Sequence, residues 1–391
     1  MRKLTADIIY SGNRGWLKDT VILVDHTGQI LSLRDRSEFP PNEYEYFSGM
    51  LVPGFINAHC HLELSHLHGK FQTGTQLLPF LKSVVQNREV DPDFVLQKIK
   101  EGDEEMWREG IVAVGDISNK VDTKACKEAS SIYYHTFIEA FDFLQESLAN
   151  SFFETYKSVY DAFGNLPKTM VPHAPYSVSK SLFSKINELN TAGSNINSIH
   201  NQECIDEDLL FLNKSGGFVA FWESFGFSMK DFDPIGNDSV SYTIKHLDPG
   251  HPVLFIHNTQ TRLHHIQSIL QWNPASYFVT CPNANLFIEN QLPDYTQFKN
   301  AMVCIGTDSL SSNWQLSILS EIKTILKYQS YLSLDDVLSW ATYHGALALN
   351  ISDWAGSLDA GKKPGINWIQ DVEHNGTDWL IKPEASVYKI S

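Results

Sequence analysis

The sequence predicts an α/β chain in which eight parallel strand–helix units close into a barrel, with a small β-sandwich assembled from both chain ends. Three observations point there. Short apolar runs alternate with longer helical patterns through the middle of the chain. Both ends read instead as strands and turns. Nearly every central apolar run finishes on an imidazole or a carboxylate. Strands that alternate with helices imply parallel βα units, and eight of them over roughly 300 residues suit a TIM barrel.

Residues 1–50 carry "ADIIYSG", "DTVILVD", "QILSLRD" and "EYFSGMLV", rich in β-branched and aromatic residues and separated by Gly, Asn and Asp. The tail, "GSLDAGKKPGINWIQDVEHNGTDWLIKPEASVYKI", reads the same way. Residues 1–50 plus 355–391 are therefore expected to form the sandwich, and residues 51–354 the barrel. The barrel strands are expected in "LVPGFINAHCH", "IVAVGDIS", "SSIYYHTFIEAF", "KTMVPHAPYS", "NINSIHNQE", "PVLFIHNT", "SYFVTCPNAN" and "NAMVCIGTDS". Helical patterns such as "DFVLQKIKEGDEEMWREG" separate them.

The ends of these runs carry the functional argument. They place His59 and His61, Asp116, Glu139, His173, His200, His257 and Asp308 at C-terminal strand ends. That is the barrel face where active sites are built, because all the C-terminal ends converge there.

Composition narrows the field. The chain has 391 residues, 42% apolar, enough for a sizeable core. A formal net charge of -16 argues against nucleic acid or an anionic membrane as main partner. Five cysteines without a CxxC argue against a disulfide framework or a four-cysteine zinc site, and for a reducing cytoplasm. The start, "MRKLTADIIYSGNRGW", lacks the apolar region of a signal peptide. No apolar run approaches the roughly 18 residues of a membrane helix.

His59 and His61 stand two apart on a strand, so both point to one face and suit one divalent ion. His200 and Asp308 can supply a third and a fourth ligand. A bound metal lowers the pKa of its water from about 15.7 toward about 7, giving hydroxide at neutral pH. Glu203, three residues past His200, is placed to shuttle protons. His257 can orient the water or stabilise developing charge. Each residue alone has a plainer reading: His200 and His257 as satisfied strand-end histidines, Asp308 as a helix N-cap. Their convergence on one barrel face favours the metal site. His66 and His68 lie beyond the strand and read as loop residues with structural roles. His61-Leu62-Glu63 matches the HxE of cytidine deaminases, but "TCPNAN" has its cysteine before the proline and no second cysteine, so that reading fails.

These motifs resemble those of the amidohydrolase superfamily, in its branch of metal-dependent aromatic-base and nucleoside deaminases and chlorohydrolases. "VPGFINAHCHLE" is similar to the family's PGxxNxHxH, "HNQE" to its HxxE, "CPNAN" to its CPxSN, "GTDSLSSN" to its GTDSxxSN and "GSLDAGKKPG" to its closing GSLxxGKxAD. The resemblance runs nearly end to end. It implies one divalent metal, zinc favoured over iron, held by His59, His61, His200 and Asp308. It implies that Glu203 protonates the substrate ring and that His257 and Asp308 help activate water. His173 matches a substrate-touching position. Binuclear branches carry a lysine at the end of strand four; "VPHAPYS" there favours a single metal. Pro364-Gly365 replaces the closing AD and Ala284 the serine of CPxSN; neither touches the metal set. Relatives of this kind are compatible with a homodimer.

The chemistry expected is hydrolysis at an electron-poor ring carbon of a small aromatic nitrogen heterocycle, releasing ammonia. "HLELS" and "GTDSLSSN" are most similar to the aminodeoxyfutalosine deaminases of the alternative menaquinone pathway. Glu63, Tyr176, Ser309 and Asn313 join His173 as expected substrate contacts. Phe71, Phe80 and Trp314 are further aromatics near the mouth. Lys70, Lys82, Arg88 and Lys180 are the cations available for a substrate carboxylate. Two rivals remain at this level: a hydrolase opening a cyclic amide such as an imidazolone, and a non-catalytic barrel scaffold. The intact ligand set and Glu203 argue against the scaffold.

Overall fold

A computed structural model describes residues 1–191 and 195–391. Its centre is two four-stranded parallel sheets. We label the strands β1 (Phe55–Cys60), β2 (Ile111–Ser118), β3 (Tyr133–Ala140) and β4 (Lys168–Pro172) in one. The other holds β5 (Asn197–Asn201), β6 (Val253–His257), β7 (Ser276–Thr280) and β8 (Met302–Ile305). Each strand pairs with its sequence neighbour within its sheet. All eight expected runs therefore form strands, in the expected order.

Backbone contacts link the two sheets at both margins. Thr307 and Asp308 N–H donate to the His59 carbonyl at 3.0 and 3.1 Å, and Cys60 bridges Asp308 in parallel register. At the other margin the His200 N–H donates to the His173 carbonyl at 2.9 Å. Every residue of β1 and β2 is buried, Asn57, His59, Asp116 and Ser118 included, so neither strand alternates buried with exposed positions.

The helices between strands bury one stripe each. Pro92–Arg108 starts on Asp91, whose side chain accepts from the N–H groups of Asp93 and Phe94, with Pro92 at the first turn. It buries Val95, Ile99, Gly102 and Met106 at helical spacing. Gly102 is the close approach: a Cβ there would stand 2.9 Å from both Leu62 Cδ1 and Ser65 Oγ, in the turn after His61. No described helix is long and apolar enough to cross a membrane.

Both chain ends share one seven-stranded sheet. Its path runs 387–389, 366–369, 45–53, 2–10, 20–24 and 30–35, with 16–17 beside 2–10. Ile366–Ile369 pairs antiparallel with Met50–Pro53, tying the tail to the head. Leu4, Ile9, Ile22, Ile30, Leu51, Leu358 and Ile366 form its own core. A hairpin, 372–374 with 379–381, stands as a separate two-stranded sheet. Only Gly54 separates the 45–53 strand from β1, and a Cβ there would meet Val112 Cγ1 at 2.4 Å. The end sheet is thus directly continuous with the strand that carries His59.

Candidate metal centre

The strand ends converge as the motifs require. His61 Nε2 lies 3.2 Å from His59 Nε2 and 3.3 Å from His200 Nε2. Asp308 Oδ1 stands 3.5 Å from both His59 Nε2 and His61 Nε2. Imidazole nitrogens facing at this distance repel unless a cation lies between them or one carries a proton. His200 Nδ1 is 2.9 Å from the His173 carbonyl, so it carries the ring proton and leaves Nε2 as a lone pair. Donors about 2.0–2.1 Å from a tetrahedral zinc ion stand about 3.3–3.4 Å apart. The four measured separations cluster there, so three nitrogens and one carboxylate oxygen fit a single divalent ion.

Charge agrees with geometry. Burial pushes the pKa values of His59, His61, His200 and His257 down, keeping them neutral. Asp308 is buried too, but the hydrogen bond with His59 and the neighbouring imidazoles hold its pKa well below the usual carboxylate range. Ser312 Oγ donates to Asp308 Oδ2, leaving Oδ1 toward the histidines. Asp308 and His257 adopt left-handed backbone, φ 56° and 69°. Such conformations are strained for residues other than glycine and cluster at functional sites.

Two groups stand beside the cluster. Burial, then the charges of Asp308 and Glu289, push the Glu203 pKa well above the carboxylate range, which favours its acid form. Glu203 Oε1 is 3.6 Å from His257 Nε2. His257 Nδ1 donates to Asn285 Oδ1 at 2.9 Å, which leaves Nε2 free to accept a proton. Asn285 Nδ2 returns to the His257 carbonyl at 3.4 Å, fixing the amide's orientation. We expect Asn285→Ala to lower kcat about tenfold with KM little changed, because it frees the His257 tautomer without emptying the pocket; steady-state kinetics read the split.

The expected substrate contacts sit close by, with several polar atoms already satisfied. Glu63 is buried, pairs with Arg88 at 3.3 Å and accepts the N–H groups of Asn119 and Lys120 at 2.9 and 3.2 Å. It thereby holds the loop after β2, and Arg88 is spent on it. Asn313 Nδ2 donates to Thr307 O and Glu321 Oε1 at 2.8 and 2.7 Å. Ser309 Oγ lies 2.5 Å from Ser311 Oγ. His173 is closer to the chemistry: its ring centroid is 4.9 Å from that of His200, and its Nδ1 is 2.6 Å from Ser177 Oγ. Tyr176 is buried and stacked on Phe218 at 4.2 Å. His66 contacts the carbonyls of Glu63 and Arg88, and His68 that of Trp314, as structural residues would.

Sequence reasoning left four residues without a role here. Asn285 lies inside "CPNAN", directly after the alanine weighed there. Glu139 was seen at its strand end, and its Oε1 lies 3.3 Å from His200 Nδ1. Asp116 accepts the Leu62 N–H at 2.8 Å and pairs with buried Lys127 at 2.6 Å, bracing the turn after His61. Lys127 has no sequence signal, since it looks like any helix-surface lysine.

Gly306 completes the site. A Cβ there would stand 2.8 Å from both the Cβ and the carbonyl oxygen of His59. Gly306→Ala is expected to displace His59 and lower metal content per chain, measured by elemental analysis; full occupancy in a folded variant would count against this reading.

Residues 50–378 match the amidohydrolase family. The chain is 27% identical over 340 residues to an adenosine deaminase of Helicobacter pylori, covering 84% of this chain and 81% of that protein. It is 27% identical over 293 residues to an aminodeoxyfutalosine deaminase of Nitratiruptor, covering 71% and 68%. Among solved structures, Helicobacter pylori aminofutalosine deaminase in complex with methylthio-coformycin superposes with a TM-score of 0.77 at 23% identity, covering 94% of this chain and 91% of that one. An adenosine deaminase from Xanthomonas campestris with bound zinc gives 0.72 at 19% identity, covering 94% and 84%.

Proposed function

The chain belongs to the amidohydrolase family, and we propose from that membership and the site's geometry how it acts and on what. It is a hydrolase of C–N bonds, a hydrolytic deaminase of nucleoside-like substrates. We read the two parallel sheets as halves of one (β/α)8 barrel, capped by a domain of residues 1–50 plus 355–391. The metal is a single zinc ion held by His59, His61, His200 and Asp308. The favoured substrate is aminodeoxyfutalosine, as the resemblance of "HLELS" and "GTDSLSSN" and the Nitratiruptor relative suggest.

The observation that carries this reading is the three-nitrogen, one-oxygen cluster with buried Glu203 and a lone-pair His257 beside it. When bound, the metal supplies acidification of water toward a pKa of about 7. The protein's own groups do the rest. Glu203 gives its proton to the ring nitrogen next to the amino-bearing carbon as water adds to that carbon. His257 Nε2 and Asp308 receive the proton that water gives up. That proton passes to the amine, which leaves as ammonia while the hydroxyl proton of the adduct returns to the Glu203 carboxylate, so one water is consumed per ammonia released and the acid is restored.

The test is ammonia release by purified protein of known metal content. The panel is aminodeoxyfutalosine, adenosine, 5'-deoxyadenosine, S-adenosylhomocysteine, adenine, guanine and cytosine. Release from an aminopurine nucleoside supports the reading, and the fastest compound names the substrate. No release from any of them by metal-replete protein would overturn it and bring the ring-opening hydrolase forward.

A further inference from the structure

A buried glutamate that the mechanism does not use holds the turn that carries Glu203. Glu207 is fully buried in the first turn of the helix Ile205–Asn213. Its Oε1 accepts the Gln202 N–H at 2.9 Å, and its Oε2 accepts the Glu203 N–H at 3.2 Å. The Ser239 hydroxyl donates to Oε1 at 2.7 Å. A glutamate at the third helical position ordinarily reaches back to the N-cap N–H. The N-cap here is Cys204, and Glu207 reaches past it to the two residues before.

Those two residues occupy a strained turn. Gln202 adopts left-handed backbone, φ 51°, a conformation that is costly for a residue other than glycine and persists only where the surroundings enforce it. Its side chain is pinned as well: Nε2 donates to Asp208 Oδ1 and to Ser239 Oγ, both at 2.6 Å. The Gln202 carbonyl accepts the Gln260 N–H at 2.8 Å, which ties the turn to the loop after β6 and His257. The backbone direction at Glu203 therefore depends on Glu207 and on that loop. It sets where the Glu203 carboxyl sits, 3.6 Å from His257 Nε2.

We propose that Glu207 is a positioning residue for the proton donor: its carboxyl group holds the Gln202–Glu203 turn in its strained form and so keeps Glu203 within reach of substrate and of His257. The inference rests on the deaminase reading above, in which Glu203 is the group that protonates the ring. Proton transfer demands hydrogen-bond geometry, and a misplacement of about 1 Å caused by a residue away from the chemistry can cost about 10²-fold in rate. Glutamine at this position keeps the volume but presents an NH2 group to one of the two N–H donors, which then loses its acceptor.

The test measures kcat and KM on the fastest compound of the ammonia-release panel for Glu207→Gln, Glu203→Gln and the double variant. Glu207→Gln is expected to lower kcat about a hundredfold, with KM changed less than about threefold. The double variant is expected to be no slower than Glu203→Gln alone, because no proton donor remains to be misplaced. A residue that merely supports the fold would lower the rate by the same factor in both backgrounds. That result, or a wild-type kcat in folded Glu207→Gln, overturns the proposal. If Glu207→Gln does not fold, Ser239→Ala replaces it, with an expected loss in kcat of about fivefold that is likewise absent from the Glu203→Gln background. If no compound is deaminated, the deaminase reading fails by itself, and crystal structures of the wild type and the variant decide the positioning. Gln202 relaxed out of left-handed backbone, with Glu203 moved away from His257, supports it; an unchanged turn rejects it.

Discussion

Glu203→Gln is expected to reduce kcat about a thousandfold while leaving the fold and the metal in place. The size follows from losing a general acid, a contribution of about 10²–10⁴ in rate, or roughly 4 kcal/mol of barrier at the centre of that range. The fold survives because the glutamine amide matches the shape of the carboxyl and is neutral in a pocket whose burial disfavours the charged carboxylate. It also removes a group that charges at high pH beside the buried carboxylate of Asp308. Thermal stability should therefore stay level or rise, and activity and stability part company. The pH profile gives a second readout. The wild-type rate should fall as pH rises through the raised Glu203 pKa, because the acid form is the working one. In Glu203→Gln that alkaline limb should be missing from the residual activity. A variant that loses activity and melting temperature together would point to a structural role instead.

How much of this was legible depends on whether the signal was local. His59 and His61 could be read from a period of two on a strand, and His200, His257 and Asp308 from apolar runs that stop on a polar residue. The left-handed turns at His257 and Asp308 could not be read, because neither position is a glycine or asparagine that would announce them. Glu63 follows the ligand pair directly and so looked substrate-facing. The turn at Leu62–Leu67 instead delivers it to Arg88 and the loop after β2. Asn285 binds a histidine 28 residues away, and Lys127 pairs with Asp116 from a short helix. Such pairings depend on which elements the fold brings together, and no spacing rule reaches that far. Alternation of strands and helices carried the order of β1 to β8. It could not show that the tail's Ile366–Ile369 would add to the sheet of the head, since that pairing depends on both ends meeting across the whole chain.

Metal removal is the second large expected effect, and it separates this centre from a rival group of donors. Asp238, His264 and His265 also bring ligand atoms within 4.8 Å of one another. There, however, His265 Nδ1 accepts the Arg262 N–H at 3.1 Å, so its Nε2 carries the proton and faces Asp238 at 3.6 Å. A neutral ring with one nitrogen accepting and the other protonated has no lone pair left for an ion. At the strand-end cluster the reverse holds, since three Nε2 atoms and Asp308 face one another with little to separate them. Binding there stabilises the folded chain by about 4 kcal/mol when free metal stands at a thousand times its dissociation constant. Spread over a chain of 391 residues, that is a melting shift of roughly 5 °C. Chelation should thus abolish ammonia release and lower the melting temperature by about that amount, and one equivalent of zinc should restore both. Asp308→Asn should melt at one temperature with or without chelator, having lost the charged ligand, whereas His264→Ala should keep the full chelation shift. A chelation shift that survives Asp308→Asn but vanishes in His264→Ala would move the metal to the helix-end group and remove the basis for the mechanism.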